Sequence, residues 1–170
     1  YVPLVNPWNE VPQGFEPHLV DLEGEKMDST CVDALQQLLK DVRDAGMRYS
    51  LNSSYRDIAE QTDLWDQRYN NYLNKGYSAE EALRLTARWV ARPGTSEHHL
   101  GLAVDLLGDA AVEWFNEHCW EYGFIRRYTA EKAHITGFVD EPWHFRYVGK
   151  EVSLDMKDSG VCLEEYLGAE

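Results

Sequence analysis

Two short stretches constrain this chain more than all the rest: Ser96-Glu97-His98-His99-Leu100-Gly101-Leu102-Ala103-Val104-Asp105 and Glu141-Pro142-Trp143-His144. Leu102 to Leu107 reads as a buried strand, and on a strand Ala103 and Asp105 share one face. His98 stands too far from Asp105 for a single helical turn, and Gly94 and Gly101 supply bends near it. Pro142 disfavours a helical conformation at Glu141, so a turn entering a strand is expected there. His144 then comes from a strand beside the one that carries Asp105. Two imidazoles and a carboxylate suit a zinc ion with an open position. Glu141 would reach the water next to it, take a proton and deliver it to a leaving amine. On spacing alone a second reading stays open: His98-His99 as a solvated loop, Asp105 as a buried cap, and E-x-x-H as ordinary surface.

The chain has 170 residues, 44% of them hydrophobic and 12% aromatic, enough to bury a core of its own. A formal charge of −14 argues against a nucleic-acid partner and against electrostatic binding to an anionic membrane. Cys31, Cys119 and Cys162 form no C-x-x-C pair, so a thiolate metal site is not expected. No signal peptide or membrane span is visible, and the chain opens at Tyr1.

Residues 1–28, rich in Pro, Asn and Gly, read as an extended arm packed on the domain. Val32, Leu35, Leu38, Leu39 and Val42 recur at helical steps from Ser29 or Thr30, and Gly46 stops that helix. Met47 to Leu51 reads as a strand. Helices follow over about 57–75 and, from a Ser78/Glu81 capping box, to about Ala91. Asp109 caps a helix to about Tyr122. Phe124 to Tyr128 and Trp143 to Tyr147 read as strands, and Ser159 to Leu167 as a closing helix. The expectation is a single α+β domain over 1–170: a small, mostly antiparallel sheet flanked by helices, with the metal site on the sheet.

The pattern S-x-H-x-x-G-x-A-x-D followed by E-x-W-H resembles the VanY-type zinc D-alanyl-D-alanine carboxypeptidases, in the group that includes lysostaphin-like peptidases and the hedgehog domain. Ser96, His98, Gly101, Ala103 and Asp105 fit the first element, and Glu141, Trp143 and His144 the second. Ser53-Ser54-Tyr55-Arg56 with Gln61, and the opening Leu4-Val5-Asn6, extend the likeness over most of the chain. The resemblance implies one Zn2+ held by His98, Asp105 and His144, with Glu141 as catalytic base. Arg56 would face the metal, to stabilise an oxyanion or fix substrate. Gln61 and Ser96 would join it in binding the terminal carboxylate or amide of the substrate.

The activity implied is removal of the C-terminal D-Ala from peptidoglycan stem peptides or their precursors. An L,D-carboxypeptidase acting on tetrapeptides and a D,D-dipeptidase share these motifs and are the alternatives. A non-catalytic binding module ranks below them, because all four key positions are filled. The implied partner is a stem peptide ending in D-Ala-D-Ala. A monomer in the bacterial cell envelope is expected, with membrane contact only through an anchor removed from the chain. Among neighbours, His99 is the rival to His98. Trp143 is expected to pack under the site, and Arg146 and Tyr147 to be sheet residues. Arg126-Arg127 reads as a solvated basic pair. His18, His118 and His134 receive no role.

Overall fold

The computed structural model describes residues 1–169. A hairpin of β1 (Leu19–Leu22) and β2 (Glu25–Asp28) leads into α1 (Ser29–Asp44). Next come β3 (Ser50–Ser53), α2 (Ile58–Asn74) and α3 (Ala79–Trp89). A 3-10 turn over Glu97–Leu100 precedes β4 (Ala103–Leu107), and α4 (Asp109–His118) follows it. The remaining elements are β5 (Phe124–Tyr128), α5 (Ala133–Thr136), β6 (Glu141–Tyr147), α6 (Lys150–Lys157) and α7 (Leu163–Tyr166). Among the described residues the main sheet runs β3-β4-β6-β5, antiparallel throughout. The fold is therefore the α+β arrangement expected, with helices around a small antiparallel sheet.

Alternation along β4 and β6 divides the sheet into two chemistries. Val104, Leu106 and Phe145 point to one side, into a core with Leu35, Leu38 and Leu39 of α1 and Phe115 of α4. Phe145 and Phe115 meet at 5.1 Å between ring centroids. On the opposite side stand Ala103, Asp105, His144 and Arg146, and the register sets Ala103 against Arg146 and Asp105 against His144. Directly opposed residues on antiparallel strands have Cβ atoms about 5 Å apart. The pairing of two central strands thus brings a carboxylate and an imidazole within reach of one another.

Several element boundaries differ from those read in the sequence. Residues 19–28 are a hairpin, not an extended arm; Glu23-Gly24 makes its turn with both residues at positive φ. Met47 closes the end of α1 through its N–H to Val42 O, so β3 starts at Ser50. Gly108, not Asp109, is the cap of α4, and the helix tightens to a 3-10 turn over Cys119–Tyr122. Glu141 is the first residue of β6, not part of a turn before it. Of the closing helix expected over Ser159 to Leu167 only the single turn α7 forms, after a turn through Gly160 (φ 70°), and α6 ahead of it is a helix the sequence reading did not place. All three cysteines are buried thiols.

Candidate metal centre

The first imidazole is placed by a short, heavily capped segment. Ser96 Oγ accepts from His98 N at 3.2 Å and opens the 3-10 turn, and Gly101 closes it at φ 68°. A Cβ on Gly101 would lie 2.9 Å from Asp28 N, whose N–H donates to Gly101 O at 2.8 Å. The turn is therefore pinned to the end of β2 by a contact only glycine allows. Within it, His98 Nδ1 lies 2.6 Å from Ser54 O. A carbonyl only accepts, so the ring proton is on Nδ1 and Nε2 keeps its lone pair. That Nε2 faces Asp105 Oδ2 at 3.4 Å.

The second imidazole uses its nitrogens the other way round. His144 Nδ1 is 2.9 Å from Asp105 Oδ1, and Nε2 is 3.2 Å from Glu97 Oε2. Tyr128 stacks on the ring at 4.8 Å, and the His98 ring meets it edge-on at 5.1 Å. One donor atom from each of His98, Asp105 and His144 falls within a 4.8 Å cluster, so these three could hold a metal ion. Two imidazole nitrogens and a carboxylate oxygen match the donor set of three-ligand zinc sites.

The electrostatics of the cluster follow from its burial. Burial opposes charge on Asp105, but the two histidines outweigh it and hold the carboxyl far below the usual carboxylate range. Burial also opposes charge on His144, yet hydrogen bonds to Asp105 and Glu97 bring it up to about 9. His98 moves down, chiefly through burial. Glu141, at the start of β6, is pushed up to about 7 by burial, against the pull of His144 and Arg56. A carboxyl near neutrality suits proton transfer in either direction.

Arg56 lies across the cluster from the strands. Its Nε donates to Ser53 Oγ at 3.0 Å, Nη1 to Gln61 Oε1 at 2.6 Å, and Nη2 stands 3.7 Å from Asp105 Oδ2. Gln61 is itself fixed by its N–H to Ala91 O at 2.7 Å. Arg56 and Gln61, with Ser96, Glu141 and Trp143, line a cleft of about 380 Å³ that opens between α2, α3 and the sheet. Trp143 therefore faces the cleft and does not lie under it. His99 is committed elsewhere: Nδ1 binds Arg56 O at 2.7 Å, and Nε2 accepts from Gly94 N at 3.1 Å. Of the adjacent pair, only His98 enters the cluster.

Sequence reasoning missed the layer behind His144. Arg127 is buried, not solvated, and Arg146 is fully buried as well. Arg127 Nε and Arg146 Nη1 both donate to Glu97 Oε1, at 2.7 and 2.8 Å. Arg127 also makes two bonds to Glu164 of α7, at 2.9 and 2.7 Å. Arg126, its sequence neighbour, pairs at the surface with Asp140. The available signal was strand alternation, which sends Arg126 and Arg127 to different sides.

The model of the VanY family, D-alanyl-D-alanine carboxypeptidase, matches residues 24–150. The chain belongs to this family. It is 40% identical over 175 residues to a D-alanyl-D-alanine carboxypeptidase of Enterococcus faecalis, covering 98% of this chain and 65% of that protein. Its fold is similar to that of VanYB in complex with D-alanine-D-alanine, with a TM-score of 0.94, 40% identity and coverage of 98% and 97% of the two chains. A variant of the vancomycin-resistance D,D-pentapeptidase VanY from a VanB-type cassette, solved with Zn(II), superposes with a TM-score of 0.92 at 40% identity, over 96% and 97% of the chains.

Proposed function

We propose that this chain is a zinc-dependent D,D-carboxypeptidase that removes the C-terminal D-Ala from peptidoglycan stem peptides or their precursors. The observation that carries the reading is the convergence of His98 Nε2, Asp105 and His144 Nδ1 on the floor of a cleft that Glu141 and Arg56 also line. Membership of the VanY family supports it. Those three donors would hold the ion, which when bound polarises a carbonyl and acidifies water.

Glu141 is the base. Its carboxylate takes a proton from the attacking water as the water oxygen bonds to the scissile carbonyl carbon. It returns that proton to the amide nitrogen as the C–N bond breaks and D-Ala leaves as the amine. Burial keeps its affinity for the proton near neutrality, so it can do both. Arg56 is held by Ser53 and Gln61 with its Nη2 toward Asp105, and its guanidinium stabilises the oxygen that becomes negative. Gln61 and Ser96 frame the pocket for the terminal carboxylate. We assign the whole of 1–170 to one metallopeptidase domain acting as a monomer. A peptidoglycan substrate places it outside the cytoplasm; no helix among the described residues is long and apolar enough to cross a membrane.

The test is D-Ala release from a stem pentapeptide, with chelator and with zinc restored, beside the tetrapeptide and the free dipeptide. Release that disappears with chelator and returns with zinc, fastest on the pentapeptide, is the expected result. Faster turnover of the tetrapeptide would make the enzyme an L,D-carboxypeptidase. Hydrolysis unaffected by chelator would overturn the zinc reading.

A further inference from the structure

Glu97 is an acidic residue sealed inside the protein, with a side chain 1% exposed. Its two oxygens are divided between two tasks. Oε1 accepts from both Arg127 Nε and Arg146 Nη1, while Oε2 faces His144 Nε2 at 3.2 Å. The arginines are anchored in turn. Arg127 holds Glu164, which accepts from Asn6 Nδ2 at 3.2 Å, and Arg146 Nη2 donates to Pro3 O at 2.7 Å. Two Arg and two Glu are thus buried behind one imidazole. Such a group is rarely more stable than well-packed apolar side chains of the same volume. Its placement calls for a role other than stability.

We infer that Glu97 is a positioning residue that fixes the proton of His144 on Nε2, so that Nδ1 presents its lone pair to the metal, with Arg127 and Arg146 holding the carboxylate in place. A carboxylate only accepts, so the nitrogen it faces must carry hydrogen. Ser54 O does the same for His98 from the opposite side, at Nδ1. Without a metal, Asp105 Oδ1 faces His144 Nδ1 at 2.9 Å in the same way, so that ring carries a proton on each nitrogen; a bound ion would displace the one on Nδ1, while Glu97 keeps the one on Nε2. His98 Nε2 and His144 Nδ1 thus both point to Asp105, where the ion would sit. Because Glu97 is held by guanidiniums bonded to Glu164 and Pro3, α7 and the first residues of the chain belong to the support of the metal centre. This inference rests on the zinc reading above.

The discriminating variant is Glu97→Gln. Two guanidiniums donate to the Oε1 position, so the amide oxygen settles there. Its NH2 is left facing His144 Nε2 and donates to it, which leaves the ring a single proton, on Nδ1. Zinc must then displace that proton and turn the amide. The expected result is a zinc dissociation constant raised about 10–100-fold in chelator competition. 15N spectra of selectively labelled histidine should place the proton on Nδ1 in the metal-free variant. In zinc-loaded wild type they should show Nδ1 bound to metal and a slowly exchanging proton on Nε2. That wild-type spectrum decides even if the variant does not fold. Zinc on Nε2 of His144, or wild-type affinity in the variant, overturns the inference and leaves the zinc enzyme intact; a wild-type protein that binds no zinc overturns both.

Discussion

Glu141 shows how one residue's surroundings set its chemistry. Its burial raises the carboxyl toward neutrality, while His144 and Arg56 pull it down. A cation held by His98, Asp105 and His144 would pull in the same direction as Arg56. The acid limb of kcat/KM should therefore fall at or below pH 7, with activity rising as Glu141 loses its proton; a pH–rate profile checks it, and an acid limb above pH 7 would count against Glu141 as the base. Glu141→Gln keeps the shape and removes the proton acceptor. It should lower kcat by at least about 10²–10⁴-fold while bound zinc, measured by metal analysis, stays at one ion per chain. Loss of metal together with activity would show that Glu141 supports the ligand set instead.

At the scale of elements, the site depends on a register and a turn. Phe145 occupies the side of β6 opposite His144 and plugs the core against Phe115 and Val104. Phe145→Ala should cost about 3–5 kcal/mol in denaturant unfolding, as a cavity opens directly behind the metal ligand. Gly101→Ala should destabilise as well, by about 1–3 kcal/mol, through its left-handed φ and the clash with Asp28 N. It should also lower zinc affinity, because the turn that carries His98 must shift; unchanged affinity would mean the turn adapts. Much of this was legible in the sequence. Helical steps from Val32 to Val42 mark α1, and alternation around Val104 and Leu106 marks β4. The spacing of His98, Asp105, Glu141 and His144 allows a sheet-borne site, and the resemblance to the VanY family chooses it over a solvated loop and ordinary surface residues. What escaped has a common cause. Arg127 meets Glu97 and Glu164 across 30 and 37 residues, and such pairings leave no local trace. Charged residues read one at a time default to the surface. Helix α6 escaped for a related reason: only Ser153 and Met156 of its residues are buried, which is too few to mark a face.

Across the whole molecule, acidic residues far outnumber basic ones, yet the buried polar layer behind the site is balanced, Glu97 and Glu164 against Arg127 and Arg146. Glu164 ties α7, at the end of the described chain, to β5 and to Asn6 near its beginning. Burial raises its pKa, but Arg127 and Asn6 outweigh burial and the net shift is downward. The sign follows from linkage. A carboxyl with a depressed folded-state pKa contributes stability that is fully present above its unfolded value, near 4.5, and is lost as pH falls through the folded value. Glu164→Gln leaves Arg127 short of one charged partner in a dry environment, and at pH 7 it should cost about 3–5 kcal/mol. Below pH 4.5 the unfolded chain takes up the proton first, and as pH falls on through the lower folded value the wild type comes to resemble the variant. The difference in unfolding free energy between the two should therefore shrink as the solution is acidified. Urea titrations from pH 7 to pH 3 measure this directly. A gap constant over that range would mean that the shape of Glu164, and not its charge, joins the two ends of the chain to the sheet.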